Sequence, residues 1–306
     1  MKIIYDKQGQ PDPYIIRAND KFYIYATGIT GVTCYRADKI DGEWENLGVV
    51  LETEGEKEFW APCVIELGDT YYMYYSSVKS DSRDAHDECI KVAVCDRPDG
   101  KFSYVCDVLP PFSIDPHVVV SGGELYMFYS LNDYSSDRIG TYIAVAKMAS
   151  PLAVTGESVA VVRPTVDEEI FMKNRFGDGR NWHTIEGAFY FRDGDAHYLI
   201  YSGNCYRNEY YFLGYASAVT PETDLTKINF VKRPSPDVYS PLIAKNAFES
   251  GTGHCSVIKI DGKYYCVYHG RDGVTDEKGI ENRTARVCEL VADNGTLTAK
   301  RYKDKI

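Results

Sequence analysis

Asp12, Asp115 and His254 each stand 11 positions ahead of a tyrosine (Tyr23, Tyr126 and Tyr265), and Glu186 stands 12 ahead of Tyr198. A fifth such tyrosine, Tyr72, has the small apolar Ala61 at the offset of 11. Equal offsets in repeated phrases mean equivalent places in space, so the four ionisable residues are expected to converge on one site. Three carboxyls held together raise one another's pKa and resist burial as ions, an arrangement that a purely structural design avoids. Hydrolysis of a glycosidic bond asks for it. One carboxylic acid must protonate the departing oxygen while a carboxylate activates water on the opposite face of the sugar, and a third carboxyl can orient the acid.

The elements that must position these residues are five phrases: DPYIIRANDKFYIYATG from Asp12, WAPCVIELGDTYYMYYSS from Trp60, IDPHVVVSGGELYMFYS from Ile114, IEGAFYFRDGDAHYLIYSG from Ile185 and GHCSVIKIDGKYYCVYHG from Gly253. Each reads as two short strands joined by a turn, the second of the type aromatic-Tyr-apolar-apolar-Tyr-Ser. The segments GVTCYRA, IKVAVCD, GTYIAVAKM, YFLGYASA and RTARVCELVA alternate in the same way and supply third strands. Turn-rich stretches such as DGEWENLGVVLE and DGKFSYVCDVL add polar edge strands. Successive anchor tyrosines are 49, 54, 72 and 67 residues apart, which suits propeller blades. The excess in the third and fourth units is assigned to insertions around 131–138, 167–182 and 205–211. No convincing amphipathic helix interrupts the pattern. The expected fold is all-β, a five-bladed β-propeller occupying 1–306 as a single domain. An Asn-Gly turn at Asn294 and Gly295 should close a hairpin of the fifth blade, and MKIIYD should join that blade as an edge strand.

Composition narrows the function classes. With 44% hydrophobic and 26% charged residues the chain reads as globular, and no apolar run approaches the roughly 18 residues of a membrane span. No membrane partner is expected. The formal charge of -11, with no basic stripe to offset it, repels phosphate backbones, so nucleic acid is not an expected partner either. The N-terminus lacks a signal-peptide pattern and the nine cysteines show no C-x-x-C pair, which together suggest a reducing, cytoplasmic setting. There is also no P-loop, no G-x-G-x-x-G after a strand, no H-E-x-x-H and no G-x-S-x-G.

The ordered set D-P near Asp12, W-A-P at Trp60, I-D-P-H-V at Ile114, E-G at Glu186 and G-x-G-H-x-S ending at Ser256 resembles the five-bladed β-propeller glycosidases of glycoside hydrolase family 43. The resemblance spans about residues 11 to 290. It implies a general base at Asp12, a pKa-modulating and orienting residue at Asp115 and a general acid at Glu186. It further implies inversion of anomeric configuration, with roughly 6.5 to 9.5 Å between the Asp12 and Glu186 carboxyls. His254 matches the family's axial histidine, which implies a possible central ion, often calcium, or a water cluster; no cofactor is required for the chemistry itself. Arg283 resembles the family's late, substrate-facing arginine, and Trp60 offers a flat face to a sugar ring. Two departures, Cys63 where an acidic residue commonly follows W-A-P and Ala188 in place of the proline of E-G-P, are expected to alter a subsite wall.

Each residue has a plainer reading. An Asp before Pro usually starts a strand or turn, and only its register with Glu186 sets Asp12 or Asp115 apart. Trp60 reads either as a sugar platform or as blade packing, and Arg283 either as a substrate ligand or as an inter-blade salt bridge. Trp182, His183, Tyr134 and Arg207, in or beside the inserted loops, are subsite candidates. The expected substrate is a small oligosaccharide from plant cell wall that loses a terminal pentose, α-L-arabinofuranose before β-D-xylose, because the chain lacks the additional β-sandwich typical of the xylosidases. A noncatalytic sugar-binding propeller is the rival of another class. A phosphorylase would need a cationic cluster, and only His254, Arg271 and Arg283 lie near the matched positions. The oligomeric state is left open by the sequence.

Overall fold

The computed structural model describes residues 2–4, 9–273 and 282–301. They form a five-bladed β-propeller. The blades are antiparallel meanders of four strands, the first Tyr14–Ala18, Lys21–Ala26, Val32–Ala37 and Glu45–Leu51, and the second Glu56–Leu67, Thr70–Lys79, Cys89–Cys95 and Ser103–Asp107. Blade three comprises Ile114–Ser121, Glu124–Asp133, Gly140–Ser150 and Ala153–Val162; blade four comprises Trp182–Asp193, Ala196–Gly203, Phe212–Val219 and the short Val231–Lys232. Glu249–Ile260, Lys263–Asp272, Thr284–Asp293 and Thr296–Lys300 make blade five. The expected N-terminal edge strand is present as Lys2–Ile3, paired with Val287 and Arg286 of blade five; Met1, Tyr5 and Asp6 of that phrase lie outside the described residues. Asn294 and Gly295 both have positive φ, as the hairpin turn requires.

Alternating apolar side chains make each blade sticky on both faces, and the core divides accordingly into five clusters, one at every seam between neighbouring blades. The seam between blades five and one, built from Ile15, Ile24, Tyr35, Val267 and Val287 with Ile4, closes the ring. Tyrosines recur in these seams because a ring fills the gap while its hydroxyl can reach a partner at the rim. Tyr25 of blade one donates to the Pro98 carbonyl of blade two at 2.6 Å, and Tyr74 of blade two donates to the Pro151 carbonyl of blade three at 2.7 Å. The cysteines are all free thiols, seven of them buried.

Two of the expected insertions take regular form. Leu131–Asp133 extends the second strand of blade three rather than forming a loop, and Ile170–Met172 pairs with the first strand of blade four. Among the described residues the only helical pieces are three-residue 3-10 turns.

The register that aligned the five phrases has a backbone cause. Asp12, Ala61, Asp115, Gly187 and His254, each 11 residues before its anchor tyrosine, all have φ between 42° and 64°. In blades two to five the strand pairing shifts at this point, as at a β-bulge, and the distorted turn re-aims side chains toward the axis. Blade four therefore follows the same rule as the others. Its left-handed residue is Gly187, and Glu186 occupies the preceding position, which Trp60 occupies in blade two.

A left-handed turn is costly for any residue with a Cβ and nearly free for glycine. At Gly187 a Cβ would also lie 3.0 Å from Nδ1 of His254. Substitutions at this one ring position should therefore differ in sign by blade. Ala61→Gly is expected to gain roughly 0.5 kcal/mol or more, and Gly187→Ala to lose about 2 kcal/mol, in urea-unfolding stability. Two changes of the same sign would show that the backbone geometry does not govern these sites.

Candidate active site

At the axis the bulges open onto a cavity of about 1060 Å³ whose wall includes Asp12, Trp60, Asp115, Glu186, His254 and Arg283. All but Arg283, which precedes the third strand of blade five, are aimed there by a left-handed position or by the residue next to one. The bulges are anchored by their own N–H groups. Asp12 N–H donates to Nδ1 of His269 at 3.1 Å, Ala61 N–H to the Thr27 hydroxyl at 2.7 Å and His254 N–H to the Ser202 hydroxyl at 2.8 Å. Thr27, Ser202 and His269 all stand four residues after their anchor tyrosines, on the second strand of the preceding blade or, for Thr27, just past its end.

Asp12 is placed to be an anion. Burial alone pushes its carboxyl up, but the His254 imidazole and the Arg283 guanidinium overcome this and hold it well below the usual carboxylate range. Nη1 of Arg283 lies 3.6 Å from Oδ1, and the Thr27 hydroxyl donates to Oδ2 at 2.6 Å. His269 is kept neutral, since burial depresses its pKa to about 3, and a neutral ring can accept the Asp12 N–H. Its ring stacks on Tyr211 at 5.7 Å.

Glu186 and Asp115 are placed to hold protons. Burial raises Glu186 to about 7, opposed by the Tyr211 hydroxyl, which donates to Oε1 at 2.7 Å, and assisted by the charge of Asp12. Asp115 is likewise raised to about 7, by burial first and then by the neighbouring carboxyls of Glu186 and Asp12, with His254 pulling the other way. Its Oδ2 accepts the Gly187 N–H at 3.0 Å and lies 3.5 Å from the Ser130 hydroxyl. Asp115 thus fixes the peptide next to Glu186. One carboxylate ionised and one carboxyl protonated, in a single cavity near neutral pH, is the equipment for general acid-base chemistry.

Trp60 and Trp182 both line the cavity. Trp60 donates from Nε1 to Glu58 at 3.0 Å, and Trp182 is wedged among Tyr134, Phe176 and the guanidinium of Arg175. Arg207 also borders the cavity, whereas Tyr134 only backs Trp182 from outside. His183 does not reach the site. Strand alternation turns Trp182, Thr184 and Glu186 inward and sends His183 to the opposite face, where its Nδ1 lies 3.2 Å from the Ile139 carbonyl and its Nε2 lies 3.1 Å from Arg138. The expected change of a subsite wall is also corrected: Cys63 packs in the seam of blades two and three and Ala188 in that of blades three and four, both away from the cavity. Arg271 is buried against the Tyr206 carbonyl at 2.9 Å and leaves His254 and Arg283 as the cavity's share of the proposed phosphate cluster.

Tyr211 escaped the sequence reading. Its signal is Gly253 in the G-x-G-H phrase: a Cβ there would fall 1.9 Å from the Tyr211 ring, so the glycine exists to admit the phenol that bonds Glu186.

The side-chain oxygens nearest His254 are already engaged by the protein's own groups. Calcium takes six to eight oxygens, whereas Asp12 Oδ1 here faces Arg283, His254 and His269, and Oδ2 is taken by Thr27. Among the described residues no group of three or more His, Cys, Asp or Glu side chains is arranged to hold a metal.

Comparison with known proteins gives a family model, "Glycosyl hydrolases family 43", matching residues 6–297. A xylosidase/arabinosidase of Thermoclostridium stercorarium is 25% identical over 84% of this chain and 55% of its own length. A probable arabinan endo-1,5-alpha-L-arabinosidase A of Aspergillus flavus is 24% identical over 74% of this chain and 66% of its own length. The chain thus spans between half and two thirds of these relatives. The crystal structure of a thermostable family-43 glycoside hydrolase superposes with a TM-score of 0.77 at 27% identity, covering 96% of this chain and 93% of that one.

The raised carboxyls make stability depend on pH. Asp115 and Glu186 bind protons more tightly folded than unfolded, so their contribution is full below about pH 4 and is lost as pH rises through about 7. Asp115→Asn has no charge to bury at that place. Its melting temperature should exceed that of the unaltered protein by roughly 3–6 °C at about pH 8, and the gap should close by about pH 4.5 in scanning calorimetry.

Proposed function

Because the chain belongs to glycosyl hydrolases family 43, we propose that it is an inverting exo-glycosidase that removes a terminal pentose, α-L-arabinofuranose in preference to β-D-xylose, from short oligosaccharides. The observation that carries this reading is the opposite displacement of two carboxyls in one cavity, Asp12 down and Glu186 up. Arabinose figures in the names of both relatives, and xylose in one.

In the proposed reaction the Asp12 carboxylate takes a proton from a water whose oxygen bonds to the anomeric carbon. The glycosidic C–O bond breaks with its electron pair going to the leaving oxygen, which takes the proton of Glu186. Attack opposite the leaving group inverts the anomeric centre. Asp12 ends protonated and Glu186 ionised, and exchange with solvent restores both. Arg283, next to Asp12 and stacked over Tyr206 at 5.1 Å, is suited to bind sugar hydroxyls while sharpening the acidity of Asp12. Trp60 and Trp182 offer apolar faces to the sugar rings.

Exo action is supported at the mouth of the cavity. Ser82–His86 from blade two and Phe171–Arg175 from the insertion before blade four both border it, and Arg175 is near enough to help hold the Asp84 carboxyl below its usual range after its bonds to His86. Two segments from different blades at one cavity are suited to closing one side of a groove, as exo action requires.

The test is a screen of aryl α-L-arabinofuranosides and β-D-xylosides with the product anomer followed by NMR. Glu186→Gln and Asp12→Asn should each lower kcat by on the order of 10²–10⁴-fold with the sugar released in inverted configuration. No turnover by the unaltered protein, or full rates in both variants, would favour a noncatalytic binding propeller instead. The pH profile adds a second check. Activity should fall on an alkaline limb near pH 7 that belongs jointly to Glu186 and Asp115. Tyr211→Phe, by removing a bond that favours ionised Glu186, should move that limb upward.

A further inference from the structure

One carboxyl in the cavity wall has no part in the reaction just described. Glu88 follows the short turn Ala85–Asp87 and opens the third strand of blade two. It is fully buried, borders the cavity, and neither carboxyl oxygen has a hydrogen-bond partner. Its backbone leaves it little freedom: the Glu88 carbonyl accepts the Ser113 N–H at 3.1 Å, and the Ser113 hydroxyl accepts the Ile90 N–H at 3.0 Å. Ser113 lies two residues before Asp115, so Glu88 is pinned to the strand that delivers Asp115.

The Ser76 hydroxyl stands beside Glu88 at the margin of hydrogen-bonding range, too poorly aligned to satisfy either carboxyl oxygen. Ser76 occupies the same position, four residues after the anchor tyrosine, as Thr27, Ser202 and His269. Those three accept the N–H of the next bulge, whereas the Ser76 hydroxyl is buried with its bonding capacity unused. The nearest cation, Lys91, acts on Glu88 only from a distance. Lys91 gives its ammonium to Glu56 at 2.7 Å and to Asp107 at 3.3 Å.

Buried polar groups in folded proteins are almost always bonded, and a group left without a partner destabilises the fold. An under-satisfied carboxyl in a cavity wall, with only a poorly aligned hydroxyl behind it, is explained when the missing partner is a ligand. We propose that Glu88, backed by Ser76, forms a specificity site for hydroxyl groups of the bound glycosyl unit, on the blade-two wall of the cavity. This rests on the glycosidase reading above and deepens it. The Glu88 carboxylic acid donates to one sugar hydroxyl and its carbonyl oxygen accepts from the same or the adjoining one, while Ser76 supports the carboxyl from behind. Burial, with Glu58 and Asp115 nearby, raises Glu88 to about 9, in keeping with a neutral donor at physiological pH. A site built in this way rejects sugars that lack the hydroxyl, because the protein groups are then stranded.

Glu88→Leu, Glu88→Gln and the unaltered enzyme should be compared on an aryl pentofuranoside and its monodeoxy analogues, with melting temperatures recorded in parallel. The leucine variant is expected to lose about 30-fold or more in kcat/KM on the full substrate while melting no lower than the parent. The glutamine variant, which keeps a donor and an acceptor, should recover to within about fivefold. One deoxy analogue should be penalised in the parent and much less in the leucine variant, the sign of a coupled pair. Unchanged kcat/KM in Glu88→Leu, or a lowered melting temperature with equal losses on every analogue, would overturn the proposal and leave the glycosidase reading standing. Absence of turnover by the unaltered enzyme on any pentoside would remove both.

Discussion

Five backbone turns in the left-handed region, one per blade, hold this molecule's centre. Such a turn costs about 1–2 kcal/mol for a residue with a Cβ, and it persists only where neighbours fix it on both sides. Here the fixing comes from the adjoining blade. The N–H of Ala61 reaches Thr27, that of His254 reaches Ser202, that of Asp12 reaches His269, and that of Gly187 reaches the side chain of Asp115. Each bond does two things at once: it stitches a seam at the axis and it sets the direction in which a side chain leaves the strand. The site and the ring are consequently one construction.

Electrostatics then differentiates what the backbone made alike. Burial pushes Asp12, Asp115 and Glu186 in the same direction, toward the protonated form. What separates them is company. Asp12 has a guanidinium and two imidazoles within 3.6 Å, whereas Glu186 has one phenol, and that phenol sits where it does because Gly253 leaves room for its ring. A difference of one carbon atom at position 253 would thus be felt at the acid on another blade.

Much of this was legible in the sequence because repetition exposes position. The spacing to Tyr23, Tyr126 and Tyr265 located Asp12, Asp115 and His254, and the propeller and its N-terminal edge strand followed from strand alternation. The displaced offset of Glu186 was visible, but its cause was not, since a positive φ at Gly187 leaves no mark beyond the glycine itself. His183 was misread because proximity to Trp182 in sequence says nothing of face; one step along a strand is a reversal of side. Cys63 and Ala188 were misplaced for a related reason, as a motif position next to the axis can still point into a seam. Tyr211 and Glu88 come from segments outside the repeated phrases, and only the folded ring brings them to the cavity.

The bond from Asp12 to His269 joins positions 257 residues apart. It belongs to the last seam of the ring, where Ile15 and Ile24 meet Val267 and Val287, and contacts of such long range are slow to form because the intervening chain must first be drawn together. During synthesis the first blade therefore waits, with its inner edge exposed, until the fifth has been made. Until that moment the N–H of Asp12 has no His269 to meet and the carboxyl has no Arg283. A nascent chain can complete four blades and still lack every cationic or imidazole neighbour of Asp12, so competence arrives late and all at once, with the closure of the circle.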